Sequence, residues 1–255
     1  MKRLILALAA LALSAPAWAT GSLADVTIYD RSSGRVLPVY SSDGQAFVAG
    51  VPGNEYTIRI RSRSSEDVLA VVSVDGVNAV TGQTASPAQG GYVIAARGYL
   101  EIKGWRKSLE RTAAFYFTDL GDAYAARTGR PDNVGVIGVA LFKRKPEPVL
   151  SFEEKRLRQA PSADNAASGA APAAKAQERA AAEPQLGTGH GRSETSYARY
   201  VQFERESDVP NEVVTLRYDS RGNLIALGVI PAPRPAWRHE PDAFPAAFVP
   251  DPPAR

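Results

Sequence analysis

The sequence predicts an all-β protein. The expected form is an antiparallel β-sandwich, jelly-roll or Ig-like, with one short helix and a C-terminal β-hairpin after a disordered linker. Three observations predict it. Short apolar runs of strand length recur between residues 21 and 145, punctuated by Gly, Pro, Asn and Asp. Within that segment only Leu120 to Thr128 has helical character. An alanine-rich tract then breaks the pattern, and strand-like alternation resumes beyond it.

The elements follow in order. Leu23 to Tyr29 turns Val26 and Ile28 to one face, and Asp30-Arg31-Ser32-Ser33-Gly34 is turn chemistry. Val36 to Tyr40 contains Pro38, which fits an edge strand. Gln45 to Ala49 is short and is closed by Val51-Pro52-Gly53-Asn54. Glu55 to Arg63 sets Tyr56, Ile58 and Ile60 against Thr57, Arg59, Arg61 and Arg63, the period-2 signature of a half-buried strand. Val68 to Val74 is almost wholly apolar and valine-rich, so it reads as a central strand. Asp75-Gly76 is a tight turn leading into Val77 to Val80. Tyr92 to Ala95, Tyr99 to Trp105, Thr112 to Phe117 and Val134 to Phe142 complete the series. Asp119 is placed to cap the short helix, and Gly129 and Pro131 to stop it.

Residues 1–19 read as a signal peptide. Lys2 and Arg3 precede the apolar run Leu4 to Leu13, and Ala17-Trp18-Ala19 is a small-x-small cleavage site before Thr20. The run is shorter than the ~20 residues of a spanning helix, so no transmembrane segment is expected after cleavage. The chain is expected to be exported, to the periplasm or beyond the cell. Residues 20–150 then form the sandwich domain, and 151–192 an Ala/Pro-rich linker in which twelve of the 25 residues from Ala160 to Pro184 are alanine. Residues 193–231 form the hairpin segment. Strand character resumes over Tyr197 to Glu206, and Val213 to Tyr218 pairs with Leu224 to Ile230 across the turn Asp219 to Asn223. A lone hairpin is marginal, so docking on the sandwich is expected. Residues 232–255 are a Pro-rich tail, read as disordered.

Composition removes several chemistries. The chain has no cysteine, hence no disulfide, thiolate metal site or cysteine nucleophile. Its two histidines, His190 and His239, lie outside 21–145, so that segment holds no Ser/His/Asp triad. Loss of Lys2 and Arg3 lowers the formal charge from +3 to +1, which gives a nucleic-acid partner no support. No cofactor and no metal is expected.

The candidate binding residues are few. Arg59 and Arg61, with Arg63, share one strand face. They read as a charged solvated face or as a stripe for an anionic polysaccharide, lipid head group or acidic partner. Trp105 and Arg106 follow a strand, where an exposed indole beside cations stacks on a sugar ring and a buried one belongs to the core. Arg127 and Arg130 flank Thr128-Gly129 in a loop able to grip a carboxylate or phosphate, or to pin itself. Asp119 and Asp122, with Glu101, are the acids a glycoside hydrolase would need as a pair; capping and turn chemistry is the plainer reading of the two aspartates. Gly187-Thr188-Gly189-His190-Gly191-Arg192 reads as a flexible joint.

Three stretches together resemble an uncharacterised family of secreted proteobacterial proteins. They are V-L-A-V-V-S-V-D-G-V-N-A-V-T-G at 68–82, I-K-G-W-R-K-S at 102–108, and A-A-F-Y-F-T through A-R-T-G-R-P-D-N-V-G-V-I-G-V-A-L-F at 113–142. The likeness covers roughly 50–145 and is looser at 187–192 and 217–230. It implies a secreted or envelope protein and carries no catalytic residue across. The sequence thus points to an exported, non-enzymatic binding or assembly module, with an envelope protein or polysaccharide as partner. A carbohydrate-active enzyme and a carbohydrate-binding module with aromatic platforms are the other readings.

Overall fold

A computed structural model describes residues 19–146 and 185–232. Residues 1–18, 147–184 and 233–255, on which the expected signal peptide, linker and Pro-rich tail largely fall, lie outside the described residues. The first strands are β1 (Ala19–Thr20), β2 (Ala24–Asp30), β3 (Arg35–Val36), β4 (Val39–Ser42) and β5 (Gln45–Gly50). Next come β6 (Glu55–Ser62), β7 (Val68–Val74), β8 (Val77–Asn78), β9 (Tyr92–Ile94) and β10 (Tyr99–Ile102). The series ends with β11 (Gly104–Arg106), β12 (Arg111–Asp119), β13 (Val136–Lys143), β14 (Leu186–Thr195) and β15 (Glu212–Ser220). Two short α-helices join them, α1 (Tyr124–Arg127) and α2 (Arg221–Ala226).

The fold is the expected all-β, sandwich-like one. In the first sheet β6 pairs with β2 and with β10, and β12 pairs with β6, β11 and β14. In the second sheet the order is β4-β5-β15-β13-β7-β8, with β9 also on β7. Every pair is antiparallel except β5 with β15, which run parallel. Alternation explains the layering. Tyr56, Ile58 and Ile60 on β6 and Val214, Leu216 and Tyr218 on β15 turn inward and are buried, while their neighbours face out. Between the sheets, Tyr56 stacks on Phe115 and Phe117, and Phe117 leans on Tyr218. Aromatic packing of this kind anchors sandwich cores.

Four expectations change. The predicted hairpin is absent, because after β15 the chain enters α2. Ser220 Oγ accepts from Asn223 N at 3.1 Å, an N-cap that starts a helix where turn residues predicted a reversal. Gly228, at φ 73°, ends it. Residues 186–192, assigned to the linker, are instead most of β14, paired with β12 from Asp119↔Leu186 to Arg111↔Thr195. Residues 197–206 form no strand. They start at the β11–β12 turn, where Ala198 N donates to the Leu109 carbonyl, and reach as a strap the outer face of the second sheet, where Phe203 packs on Leu69, Val71, Ala140 and Phe142. Arg205 stacks on Phe142 and donates to the carbonyls of Pro87 and Gln89. The predicted helix at 120–128 is split into a 3-10 turn, Leu120–Asp122, and α1, and Asp119 makes no side-chain cap.

The strands β14 and β15 are therefore built into the two sheets rather than docked on them. A buried hydrogen-bond chain joins both to the rest. Tyr56 Oη meets Thr188 Oγ1 at 2.6 Å, Thr188 Oγ1 meets Tyr218 Oη at 2.6 Å, and Tyr218 Oη donates to Asp75 Oδ1 at 2.5 Å. Asp75 also accepts from Gly135 N at 3.0 Å and Thr188 N at 2.8 Å. Burial pushes the Asp75 carboxyl up to about 6 against these three donors. Burial, with the Asp75 charge, raises both phenols well above their usual value.

Candidate functional site

The outward face of β6 carries the site. Cross-strand register builds two rows there: Asp25, Arg61 and Tyr99 in one, Thr27, Arg59 and Glu101 in the next. Period-2 alternation puts all six side chains on the face away from the core. All but Glu101 border a hollow of about 520 Å³, within the roughly 300–1,000 Å³ common for small-molecule sites. Asp25, Thr27, Arg59, Arg61 and Tyr99 line it, and Val36 and Arg97 close its rim.

The arginines differ in what they touch. Arg59 is held fast: its Nε and Nη2 each lie 3.0 Å from Glu101 Oε1, and its guanidinium lies 3.6 Å from the centre of the Tyr29 ring. Arg63 leans towards Asp25 at 3.6 Å and donates to the Gly21 carbonyl at 3.2 Å. The side chains of Arg61 and Arg97 have no hydrogen bond or ion pair among the described residues, and both residues are exposed. Arg97 also sits at φ 55°, a left-handed conformation that normally goes to Gly or Asn. Tyr99 Oη donates to Glu101 Oε1 at 3.0 Å; partial burial, with the Glu101 contact, pushes the phenol up to about 12. The phenol is thereby fixed, and the ring, with Tyr99 55 % exposed, walls the hollow.

The other candidates lie elsewhere. Trp105 is only 3 % exposed, so it is no sugar platform. Its ring packs edge-on against Phe115, and its Nε1 donates to the Gly189 carbonyl at 3.2 Å. Arg106 is half-buried and donates to Ser196 O and Ser196 Oγ, fastening the chain after β14. Arg130 pins its own loop, donating to the Gly82 carbonyl at 3.1 Å and to Thr128 Oγ1 at 2.8 Å. Arg127 is exposed on α1, apart from the hollow's lining. Of the loop face expected around Trp105, Arg127 and Arg130, the indole is buried and Arg130 is engaged by its own loop, while Arg127 stays exposed; Arg59 and Arg61 line the hollow instead.

The acids do not assemble as a hydrolase pair in this hollow. Asp25 is its one lining carboxylate. Glu101 is taken up by Arg59 and Tyr99, Asp119 ends β12, and Asp122 lies in the 3-10 turn after it. Among the described residues no group of three or more His, Asp and Glu side chains is placed to hold a metal. His190 stands against the Tyr124 ring; partial burial, then Lys107 and Arg127, lowers its pKa.

Sequence reasoning missed Asp25, Arg97 and Val36. None shares a sequence pattern with Arg59: strand register brings in Asp25 and Val36, and the turn before β10 brings in Arg97. It also read Gly187 to Gly191 as a joint. A Cβ on Gly189 would stand 2.1 Å from Cζ of Tyr116, and one on Gly187 2.5 Å from Cβ of Ala123. These glycines let Tyr116 and the turn before α1 lie flat against β14. No family model matches the chain, and no curated protein and no solved structure matches it.

Proposed function

We propose that the chain is an exported, non-enzymatic binding module of the bacterial envelope that takes an anionic ligand in the hollow of the first sheet. One observation carries the reading. Arg61 and Arg97 face the same hollow with no carboxylate partner among the described residues, beside an Arg59 already fixed in place. Such a pair presents planar donors suited to a carboxylate or phosphate. Three arginines against one aspartate leave the lining positive, which draws anions and repels cations. The leader-like residues 1–19 and the resemblance to secreted proteobacterial proteins support export.

The test is binding to polyanions at low salt, with polygalacturonate and polyglutamate as probes. The expected result is binding that weakens as salt is raised and falls about tenfold or more in Arg61→Ala/Arg97→Ala, a loss of roughly 1.4 kcal/mol or more. Polyanion binding indifferent to both arginines, or none at all, overturns the reading.

A further inference from the structure

Asp25 is the unusual member of the hollow. It is 8 % exposed, lies on β2 opposite Arg61, and lines the hollow. Yet its carboxylate accepts no hydrogen bond among the described residues. Oδ1 is buried without a hydrogen-bond partner, and its ion pair with Arg63, at 3.6 Å, is beyond hydrogen-bond length. A buried carboxylate short of donors is costly; Oδ1 is closed to solvent, so Oδ2 is the oxygen that a donor brought by the ligand can reach.

The surroundings decide which donor. The lining carries three arginines, which disfavour an ammonium group. A neutral hydroxyl meets Asp25 without that repulsion. Arg61 and Arg97 want an anion within the same hollow. Tyr99, its phenol spent on Glu101, offers only its face, and Val36, 44 % exposed, offers an apolar rim. An acid, a hydroxyl and an apolar ring face occur together in one chemical unit. We infer that the hollow takes a uronic acid residue of an acidic polysaccharide, with its carboxylate on Arg61 and Arg97, a hydroxyl donating to Asp25, and the sugar ring against Tyr99. The inference rests on the anionic reading above and adds the hydroxylated sugar to it.

Two trianions separate the two ideas: trigalacturonate, which has hydroxyls, and tricarballylate, which has none. Each is titrated into the full-length chain, its Asp25→Ala variant and its Asp25→Asn variant, the last as a near-isosteric control for folding. In the wild type, trigalacturonate is expected to bind roughly tenfold more tightly than tricarballylate. Asp25→Ala should weaken trigalacturonate by a similar factor. The same change should leave tricarballylate unchanged or tighten it, because a repelling charge has gone. That opposite response is one that general loosening of β2 cannot produce. Equal binding of both trianions, or equal responses to the Asp25 variants, overturns the sugar inference and leaves the anionic reading standing. Binding of neither, with Arg61 and Arg97 immaterial, overturns both.

Discussion

Asp75 shows how one residue sets a pH response. Its φ of 52° and the 73° of Gly76 make the type I′ turn between β7 and β8, which Asp-Gly sequences favour. The same residue ties Tyr218, Thr188 and Gly135 together from inside. Burial raises its carboxyl from 3.8 to about 6. Between those values the folded protein holds a proton that the unfolded chain has released. The stability from that proton is complete below about pH 4 and is lost as pH rises through about 6, an amount of about 3 kcal/mol. Urea unfolding at pH 4 and pH 7 should show this fall, and Asp75→Asn should abolish it. A wild type whose pH dependence matches that of the variant would disprove the assignment. Glu55 titrates the other way. Arg192, then Arg31, holds its carboxyl below the usual range, so its contribution is lost only at more acid pH. At Gly189, an added methyl must displace the Tyr116 ring. Gly189→Ala should cost roughly 1–3 kcal/mol, and pairing it with Tyr116→Ala should recover part of that, as a double-mutant cycle would show.

At the scale of elements, the notable pieces are β14 and β15. Each lies beyond residue 184, yet one pairs along the whole of β12 and the other separates β5 from β13. A ring of four charges adds to the first attachment: Arg31 and Arg192 each contact both Glu55 and Glu194, at 2.6–3.2 Å. A chain ending at Lys145 should therefore lose cooperative unfolding altogether, not merely melt earlier. Supplying residues 185–255 as a separate polypeptide should restore it, measured by the near-ultraviolet circular dichroism of the buried aromatic cluster. A truncated chain that melts cooperatively would show these strands to be dispensable. The sequence announced the elements with local signals well. Period-2 alternation located β6, the valine-rich run located β7, and Asp-Gly located the turn after it. It failed where the deciding force is distant. Gly187 to Gly191 looks formless until Tyr116 and α1 are packed on it. Asp219 to Asn223 looks like a reversal until Ser220 takes up the amide of Asn223. Arg59 and Arg61 were legible as one face, whereas Asp25 and Arg97 join them only through pairing with β2 and the turn before β10.

At the scale of the molecule, the two faces of the sandwich are unlike. The outer face of the second sheet is covered by its own strap, with Phe203 and Arg205 seated on it. Among the described residues, the outer face of the first sheet is open at the hollow, and there Arg61 and Arg97 sit without a partner. One outer face is thus crossed by the chain itself and the other, among the described residues, is not. The central place of β15 also has a meaning in time. A chain made from its N-terminus cannot complete the second sheet until residue 220 has emerged, about 75 residues after β13. At ordinary synthesis rates of about 5–20 residues per second that wait is roughly 4–15 s. Throughout it β5 and β13 lack the strand that joins them. The second sheet therefore closes late in synthesis, whatever the first sheet has already formed.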